Sequence, residues 1–345
     1  MSEAEKVPPA EECEKRCQEF AAITSTDSAL AMFYLQDRDW CLDRALNSYF
    51  EESASGLSGV EATTGETEAS SSTEAAAPSV KQLGSTQPYR IRVLSWNIDG
   101  LDKQNLKSRT IGVCNVIKHE DPHVVFLQEV VEETEEIIQE LCPLYHMIPG
   151  NTEEYYTAIL VKIGEVQVED TKVLPFKNSV MMRNLLSLKC TVKGEKFNMM
   201  TAHLESTKDY SSARKTQLQQ CFKYALNREP DRTVVFGGDL NLRDKEITEI
   251  GGLPEGILDM WEVTGKRPEA KNTWDLLRND NLQMPGKFQP RCRFDRKYVR
   301  HSTPAVVKPE YFELCGIERL KTCQRFCSDH WGLLTHFNIL SKVPK

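Results

Sequence analysis

The sequence has no hydrophobic run that approaches the roughly 18–20 apolar residues needed to span a bilayer. Its N-terminus is polar and acidic and lacks the apolar core of a secretion signal. It also contains no glycine-rich nucleotide loop and no internal repeat. These absences predict a soluble intracellular protein that does not bind a membrane.

The cysteines show neither a disulfide framework nor a zinc-binding pattern. There are 11 of them, an odd number, and they are scattered along the chain. Two pairs, Cys13/Cys17 and Cys323/Cys327, have helix-like spacing without the further Cys or His ligands of a zinc site. We therefore expect reduced thiols and a location in the nucleus and cytoplasm, although no compact Lys/Arg cluster provides a nuclear address.

Charge divides the chain into an acidic front and a faintly basic remainder. Residues 1–88 carry 16 acidic and 6 basic side chains, which gives −10, against −8 for the whole chain, so the remainder carries about +2. Residues 53–88 are rich in Ser, Thr, Ala, Gly and Glu and contain no aromatic residue, so they cannot bury enough surface to fold. We expect a disordered linker that spans about 30–35 Å on average.

Residues 11–52 predict three short amphipathic helices, the first over Glu12–Ile23. Ser25-Thr26-Asp27 offers an N-cap for the second helix, and Asp39 can cap the third. This segment resembles a ubiquitin-associated domain, and the resemblance implies ubiquitin as a partner. The alternative is a small helical cap that packs on the main domain.

The most informative segment is Thr233-Val-Val-Phe-Gly-Gly-Asp239-Leu-Asn241, an apolar strand that ends in polar side chains. Residues two apart on extended backbone face the same side, so Asp239 and Asn241 can point into one space. The two glycines would let another group, such as a phosphate, approach the backbone closely. The alternative is an Asx-type turn that merely closes the strand.

Three other strand ends carry similar polar groups. The alternating strand from Tyr89 ends at Asn97, and the apolar run from His123 ends at Glu129. Ser328-Asp329-His330 precedes a further apolar segment. Polar residues at the ends of core strands are typical of a cleft, and this set suits metal-assisted hydrolysis of a phosphate ester.

These four segments, in this order, resemble the motifs of the exonuclease–endonuclease–phosphatase family. The match covers roughly residues 89–340 and implies a two-sheet α/β sandwich behind the small helical domain. The segment Thr201–Ser206 and the helical front narrow the resemblance to the branch that hydrolyses 5′-phosphotyrosyl bonds on DNA ends. That branch implies peptides of trapped topoisomerase II and single-stranded DNA overhangs as partners, a role in double-strand break repair, and a monomer.

The resemblance also implies roles for the polar residues. Glu129 would bind Mg²⁺, for which Mn²⁺ substitutes, because Mg²⁺ prefers oxygen ligands; the alternative is a buried ion-pair partner. Asn97 could orient Glu129, contact the metal or donate to a phosphate oxygen. Asp239 would orient or deprotonate the attacking water beside Asn241. His330 would stabilise the transition state, oriented by Asp295 rather than by Asp329, which should face away if the pair lies on a strand.

Substrate contacts are predicted from motif position and side-chain type. Arg183, His203 and Ser206 could bind phosphate oxygens, and Tyr155, Trp274 and Phe294 could stack on bases. Each aromatic residue could equally belong to the core. Further candidate cations for the DNA phosphates are Lys208, Arg214, Arg243 and Arg296.

Two alternative functions remain open on the sequence. The chain could be a family member that acts on another phosphate ester, such as an abasic-site nuclease, a deadenylase or a lipid phosphodiesterase. It could instead be an adaptor whose large domain is an inactive scaffold, although the intact Asn97, Glu129, Asp239 and His330 argue against this.

Overall fold

The structure, a computed structural model, describes residues 10–24, 88–151, 153–284 and 289–342, together with the single positions 31, 32, 35, 40, 42, 45 and 46. The chain divides into a small N-terminal unit and a large unit of Ser85–Gln283 with Pro290–Lys345. The predicted linker, residues 53–88, lies outside the described residues apart from its last position. Among the described helices, none is long and apolar enough to cross a membrane.

In the N-terminal unit, the first predicted helix is present as α1, Ala10–Thr24. Its buried side chains Cys17 and Phe20 belong to an apolar cluster with Ala31, Leu35, Trp40 and Ala45. The predicted second and third helices fall largely outside the described residues. The buried cluster shows that apolar positions from all three predicted segments share one small core.

The large unit alternates strands and helices along the chain. In chain order its helices are α2 (Leu106–Glu120), α3 (Glu132–Leu141), α4 (Ser211–Leu226), α5 (Asp244–Glu249) and α6 (Met260–Val263), followed by a 3₁₀ turn at Pro268–Ala270. Its strands are β1 (Arg90–Asn97), β2 (Val124–Val130), β3 (Tyr145–Pro149), β4 (Tyr156–Lys162), β5 (Val166–Pro175), β6 (Asn184–Val192), β7 (Glu195–Ala202), β8 (Thr233–Asp239), β9 (Leu258–Asp259), β10 (Trp274–Asp275), β11 (Arg291–Cys292), β12 (Asp295–Arg300), β13 (Val307–Cys315) and β14 (Gly332–Ile339).

The strands form two six-stranded mixed sheets and a two-stranded ribbon of β10 and β11. The first sheet has the order β13-β14-β1-β2-β4-β3, and the second has β5-β6-β7-β8-β12-β9. The pairs β1–β2 and β7–β8 are parallel. Asn97 pairs with Gln128, and Asp239 pairs with Asp295 on the antiparallel neighbour β12. The registers thus place the polar strand ends side by side within each sheet.

Three apolar clusters explain how the layers are held. One lies between the sheets and takes side chains from both, including Val93, Phe126, Leu188, Met199 and Val235. The second lies on the outer face of the first sheet, against α2 and α3, and the third lies on the outer face of the second sheet, against α4. The two-sheet α/β sandwich expected from the resemblance is confirmed.

From the sequence, apolar spacing in the large unit predicts helices over Leu106–His119, Glu132–Leu141 and Ser211–Leu226, the last capped by Ser211-Ser212. The predicted helix at Leu106–His119 extends to Glu120, and those at Glu132–Leu141 and Ser211–Leu226 have the predicted bounds. The expected capping role of Ser211 was wrong. Tyr210 is the N-cap, and the Ser211 hydroxyl instead donates to Glu246 at 2.5 Å.

From the sequence, a hairpin of Leu185–Val192 and Lys196–Ala202 is predicted, with Lys193-Gly194-Glu195 as its turn. The hairpin is present as β6 and β7, with a shorter turn than expected. Val192 pairs with Glu195, so only Lys193 and Gly194 form the loop. Both have positive φ, 50° and 86°, as a two-residue type I′ turn requires. Glu195 therefore begins β7 instead of ending the turn.

A buried lysine links the two sheets. Lys297 of β12 is fully buried, and its Nζ lies within hydrogen-bond distance of the carbonyls of Val93 and Leu333, at 2.8 and 3.0 Å, and of the hydroxyl of Thr335 at 3.0 Å. Burial lowers the pKa of Lys297 well below its usual value. This link is two residues from Asp295 and therefore ties the second sheet to the first close to the polar strand ends.

Replacing Lys297 by Met should change how stability depends on pH. At pH values between the lowered pKa of Lys297 in the folded protein and about 10.4, only the unfolded chain binds a proton at this lysine. The free energy of unfolding of the wild type therefore increases by up to about 1.4 kcal/mol for each unit by which the pH is raised. Met cannot titrate and loses this increment. Urea unfolding from pH 7.5 to 9.5 measures the difference, with the exposed Lys308→Met as control. Parallel curves for wild type and Lys297→Met would contradict the assignment.

Candidate active site

The site is built around Asp239, at the end of β8. The two glycines before it have a role that differs from the expected phosphate approach. A Cβ on Gly238, whose φ is +146°, would lie 2.0 Å from the carbonyl of Ala202, and one on Gly237 would lie 2.9 Å from the carbonyl of Arg296. The glycines therefore let the strands on either side of β8 come close, which brings Asp239 against both.

Asp239 is buried and held by four polar contacts. Its carboxylate accepts from the amide nitrogen of Asn97 at 3.0 Å and from the backbone of Asn241 at 2.9 Å. Nε2 of His203 is 3.3 Å away, and Nε2 of His330 is 3.8 Å away. Burial alone would raise the pKa of Asp239, but the charge of His330 and the hydrogen bonds from His203 and Asn97 lower it, so the carboxylate is ionised. The bond from Asn241 to Oδ1 is an Asx turn, the alternative interpretation of this segment, and Oδ2 is contacted by Asn97 and His203. The catalytic role of Asp239 stays a prediction.

Glu129 reaches the same space through an irregularity in β2. The pairing of β2 with β4 shifts register between Leu127 and Val130, and Glu129 has a positive φ of 56°. Its carboxylate accepts from Asn97 at 3.1 Å. Burial and the negative charge of Asp329 raise the pKa of Glu129 to about 7. A cation beside this carboxylate would relieve both penalties. Of the roles left open for Asn97, the structure shows contact with Glu129.

His330 and Asp295 form a hydrogen-bonded pair facing Asp239. Nδ1 of His330 is 2.8 Å from the Asp295 carboxylate, which also accepts from the Thr273 hydroxyl at 2.6 Å. Burial alone would lower the pKa of His330, but the charges of Asp295, Asp329 and Asp239 raise it well above its usual value. The arrangement favours an imidazolium whose Nε2 side faces the cleft.

The expectation that Asp329 faces away from the site was wrong. Asp329 precedes β14 and is not on a strand, so strand alternation does not apply to it. Its carboxylate accepts from the Trp274 indole at 3.0 Å and lies 3.9 Å from Nε2 of His330. The Asp329 carboxylate therefore belongs to the site, whereas the alternation of side chains along a strand had predicted that it points away.

Arg183, His203 and Ser206 are brought together as predicted by motif position. Nη1 of Arg183 donates to Nδ1 of His203 at 2.5 Å, and Nη2 donates to the Ser206 hydroxyl at 3.2 Å, which also accepts from Asn241 at 3.2 Å. Burial, with the charge of Arg183, lowers the pKa of His203 to about 4. Both ring nitrogens of this neutral His203 already face protein groups, so it orients Arg183 and Asp239. Its direct contact with substrate stays a prediction.

A residue that the sequence reasoning missed fixes the segment leading to Arg183. Glu205 is fully buried, and its carboxylate accepts from the Ser179 hydroxyl at 3.0 Å, the Val180 backbone at 2.7 Å and the Gln217 amide at 2.9 Å. Ser179 in turn accepts from the backbone of Arg183 at 2.8 Å. The neighbouring His203 and Ser206 were the only indication in the sequence that Glu205 belongs to the site.

The three candidate aromatic residues are half-buried and fall into two groups. Tyr155 lies under the guanidinium of Arg183, 4.9 Å from the ring centroid. Trp274 and Phe294 contact each other at 5.3 Å, with Arg243 5.4 Å from the Phe294 ring. None of the three belongs to the fully buried core, and each pairs an aromatic face with a cation or another ring. Stacking on bases stays a prediction for all three.

Two of the further candidate cations, Arg214 and Arg296, form ion pairs with carboxylates of the protein. Arg214 is fully buried and ion-paired with Glu246 at 2.5 Å, so its proposed role in a groove was wrong. Arg296 is buried and paired with the exposed Asp244 at 2.6 Å. Lys208 is exposed, in the loop before α4.

Two sets of side chains could bind a cation. Asp239, Asp295 and His330 each offer one ligand atom, and these atoms lie within 4.8 Å of one another. Nδ1 of His330 is already bonded to Asp295, so a cation there would displace a proton. Glu129, with Asn97 beside it, offers a carboxylate destabilised by neighbouring negative charge, the environment that suits an oxygen-seeking cation. The donor chemistry therefore fits a divalent ion, and we favour the Glu129 side of the site.

A buried carboxylate, an imidazole–carboxylate pair and a further carboxylate meet at one edge of a two-sheet sandwich, an arrangement that suits the class of metal-assisted hydrolases. The model of the endonuclease/exonuclease/phosphatase family matches residues 94–330, and a UBA-like domain matches residues 14–56. The chain belongs to the endonuclease/exonuclease/phosphatase family.

Within that family, the chain is similar over nearly its whole length to proteins that share one name. Tyrosyl-DNA phosphodiesterase 2 of Xenopus laevis is 38% identical over 355 residues, covering 96% of this chain and 95% of that protein. The Homo sapiens protein of the same name is 37% identical over 352 residues, with coverage of 98% and 96%. A crystal structure of Danio rerio tyrosyl-DNA phosphodiesterase 2, complexed with a single-strand DNA product, matches with a TM-score of 0.70 and 38% identity, over 72% of this chain and 99% of that one.

Proposed function

We propose that this protein hydrolyses the phosphotyrosyl bond between a DNA 5′ end and a trapped topoisomerase II peptide, leaving a 5′-phosphate for double-strand break repair. The observation that carries the proposal is the convergence of Asn97, Glu129, Asp239 and His330 from four separate chain segments. The relatives named for tyrosyl-DNA phosphodiesterase activity support the choice of bond. A lipid substrate is not favoured, because the sequence has no long hydrophobic loop.

The residues divide the chemistry between them. Glu129, with Asn97 beside it, would hold a divalent cation, Mg²⁺ with Mn²⁺ as substitute, which would supply charge neutralisation for the phosphate when bound. Asp239 is ionised and accepts the proton of the attacking water, while Asn241 and Ser206 donate to the phosphate beside it. The imidazolium of His330 stabilises negative charge that develops on the phosphate oxygens.

The leaving group explains why a strong general acid is unnecessary. A tyrosine phenol has a pKa near 10, so it departs more readily as an anion than a deoxyribose alkoxide does. Water attacks in line, the P–O bond to the phenol breaks, and the products are a 5′-phosphate and tyrosine or peptide. No covalent enzyme intermediate is required. We further propose a monomer in the nucleus and cytoplasm that acts on single-stranded overhangs, with Tyr155, Trp274 and Phe294 stacking on bases.

A side-by-side assay tests this function. Oligonucleotides with a 5′-phosphotyrosyl end, an abasic site or a poly(A) tail are incubated with the protein in Mg²⁺, and with a chelator in parallel. We expect cleavage of the phosphotyrosyl bond alone, loss of turnover on chelation and recovery with Mg²⁺ or Mn²⁺. Preferred cleavage of the abasic or poly(A) strand would assign the chain to another branch, and full activity with chelator would exclude the metal.

We also propose that the N-terminal unit binds ubiquitin or ubiquitinated proteins. The match of a UBA-like domain to residues 14–56 supports this, as does the small apolar core around Phe20 and Trp40. Deleting residues 1–88 should abolish binding to immobilised ubiquitin and leave turnover on a short phosphotyrosyl oligonucleotide unchanged. A large loss of turnover would favour the alternative of a helical cap on the catalytic domain.

A further inference from the structure

A second polar cavity lies on the second sheet, outside the site described above. Its volume is about 290 Å³, and its lining includes the cationic and phenolic side chains of Lys271, Arg293, Arg296 and Tyr298. Asp259 and the apolar and acidic side chains of neighbouring segments complete the wall. None of these residues takes part in the chemistry proposed for Asp239 and His330.

The two arginines that line this cavity, Arg293 and Arg296, are buried and held by contacts within the protein. Arg293 is only 7% exposed. Its guanidinium lies 4.7 Å from the centroid of the Trp261 ring and pairs with the Asp259 carboxylate at 2.5 Å. Arg296 is 4% exposed and donates to the Arg293 carbonyl at 3.2 Å. The two guanidinium groups are therefore held in place by the fold before any ligand arrives.

Two buried donors at the cavity have no partner within the part of the chain that the structure describes. They are the hydroxyl of Tyr298, a residue only 1% exposed, and Nε of Arg293. A buried polar group without a partner is costly, so such groups are normally satisfied by a ligand or water. Because Nε of Arg293 can only donate, the complementary ligand must present acceptor oxygens.

The carboxylates near the cavity do not prevent an anion from binding. The side chain of Asp244, which pairs with Arg296, is 70% exposed and can turn into solvent. Glu262 is 46% exposed and has Lys266 as its own partner at 3.4 Å. Asp259 is the buried acid at the cavity, and its charge is matched by Arg293. An anion can therefore replace Asp244 on Arg296 and find Lys271 and Tyr298 beside it.

The cavity adjoins the aromatic side of the active site through consecutive residues. Phe294, which contacts Trp274, directly follows Arg293 in the chain. Arg243, which lies over the Phe294 ring at 5.4 Å, directly precedes Asp244. The cavity-lining residues Arg293 and Asp244 are thus each one position along the chain from a side chain of this aromatic group.

We propose that this cavity is a second phosphate subsite, which binds a backbone phosphate of the DNA strand whose 5′ end is being cleaved. The inference rests on the proposed function, since it assigns the strand as the source of the phosphate. The hydroxyl of Tyr298, the guanidinium groups of Arg293 and Arg296, and the amine of Lys271 donate to the phosphate oxygens. The subsite selects for substrates with a strand long enough to reach it.

Tyr298→Phe is the most informative variant, because it removes one unpartnered hydroxyl and no internal hydrogen bond. Its melting temperature should equal or exceed that of the wild type. Kd for 5′-phosphorylated single strands, measured as they are lengthened one nucleotide at a time, should match the wild type for the shortest strands. Beyond a threshold length it should be about 10-fold weaker, the loss expected for one hydrogen bond to a charged group.

Lys271→Ala provides an independent measurement through salt dependence. Loss of one phosphate contact should reduce the slope of log K against log salt by about 0.7 for the longer strands. Tyr311→Phe, whose hydroxyl bonds Glu313 at 2.8 Å, and the exposed Lys308→Ala serve as matched controls. Both controls should bind every strand as the wild type does.

The outcomes separate this inference from the proposed function. Wild-type protein that cleaves phosphotyrosyl strands, with variants that show the same length dependence, overturns the subsite alone. Wild-type protein that cleaves no phosphotyrosyl strand overturns the proposed function. If inorganic phosphate raises the melting temperature of the wild type but not of Tyr298→Phe, and strand length has no effect, the cavity takes a free anion and the strand assignment fails.

Discussion

Asp239→Asn should lower kcat on a 5′-phosphotyrosyl oligonucleotide by about 10³-fold, within the range expected for loss of a positioned base. An amide cannot accept the proton of the attacking water. Its NH₂ group would also face the amide donor of Asn97, which is 3.0 Å from the carboxylate in the wild type. The shape of the side chain is retained, so the effect should appear in kcat while Kd for the product strand changes little. Single-turnover kinetics in saturating Mg²⁺ measures it.

Asp231→Asn is the matched control, because Asp231 is exposed and pairs only with Lys196, at 2.7 Å, among the ion pairs that the structure describes for it. It should have wild-type turnover. Circular dichroism and a melting curve establish that Asp239→Asn is folded. Turnover of a folded Asp239→Asn within a few-fold of the wild type would remove Asp239 from its role as proton acceptor.

His330→Ala should lower kcat by about 10²–10⁴-fold, and Asp295→Asn should have a smaller effect that depends on pH. The charged groups facing His330 are Asp295, Asp329 and Asp239, which together raise its pKa. If imidazolium is the active form, activity is lost as pH rises through that pKa. Removing the charge of Asp295 lowers the pKa, so the alkaline limb of the kcat profile should move to lower pH.

The profile shift separates orientation from packing, because a purely structural defect lowers kcat equally at every pH. The exposed His119→Ala, with a side chain 79% exposed, controls for loss of a histidine and should leave the profile unchanged. An Asp295→Asn enzyme with an unshifted alkaline limb would mean that Asp295 does not set the charge of His330. Wild-type kcat in His330→Ala would remove His330 from the mechanism.

Local patterns predicted the elements that bury one clear face. The helices at Glu132–Leu141 and Ser211–Leu226 follow from their apolar stripes, because a helix that covers a sheet must present such a stripe. Short strands such as β9 and β10 have two residues each and no detectable period, so only pairing with a neighbour defines them. The edge strand β5 is largely exposed and lacks the alternation of a half-buried strand.

The polar ends of β1, β2 and β8 were visible in the sequence because a charge at the end of an apolar run has no place in a core. Their meeting point was not visible. Asn97 and Asp239 are 142 residues apart in the chain, and only the packing of one sheet on the other brings them to 3.0 Å. Sequence also misplaced Asp329, since its direction depends on a loop that follows no strand alternation.

Residue chemistry alone determined which groups this protein can use: carboxylates, an imidazole and amides at the ends of apolar segments, on a chain with an acidic, helical front. Tertiary structure decided which of them act together, and it also revealed Glu205, Thr273 and the cavity beside Tyr298. The physical reason is that side-chain type and strand period are local properties. The burial that sets the charge of Asp239 and His330, and the backbone approach permitted by Gly238, arise only when distant segments pack together.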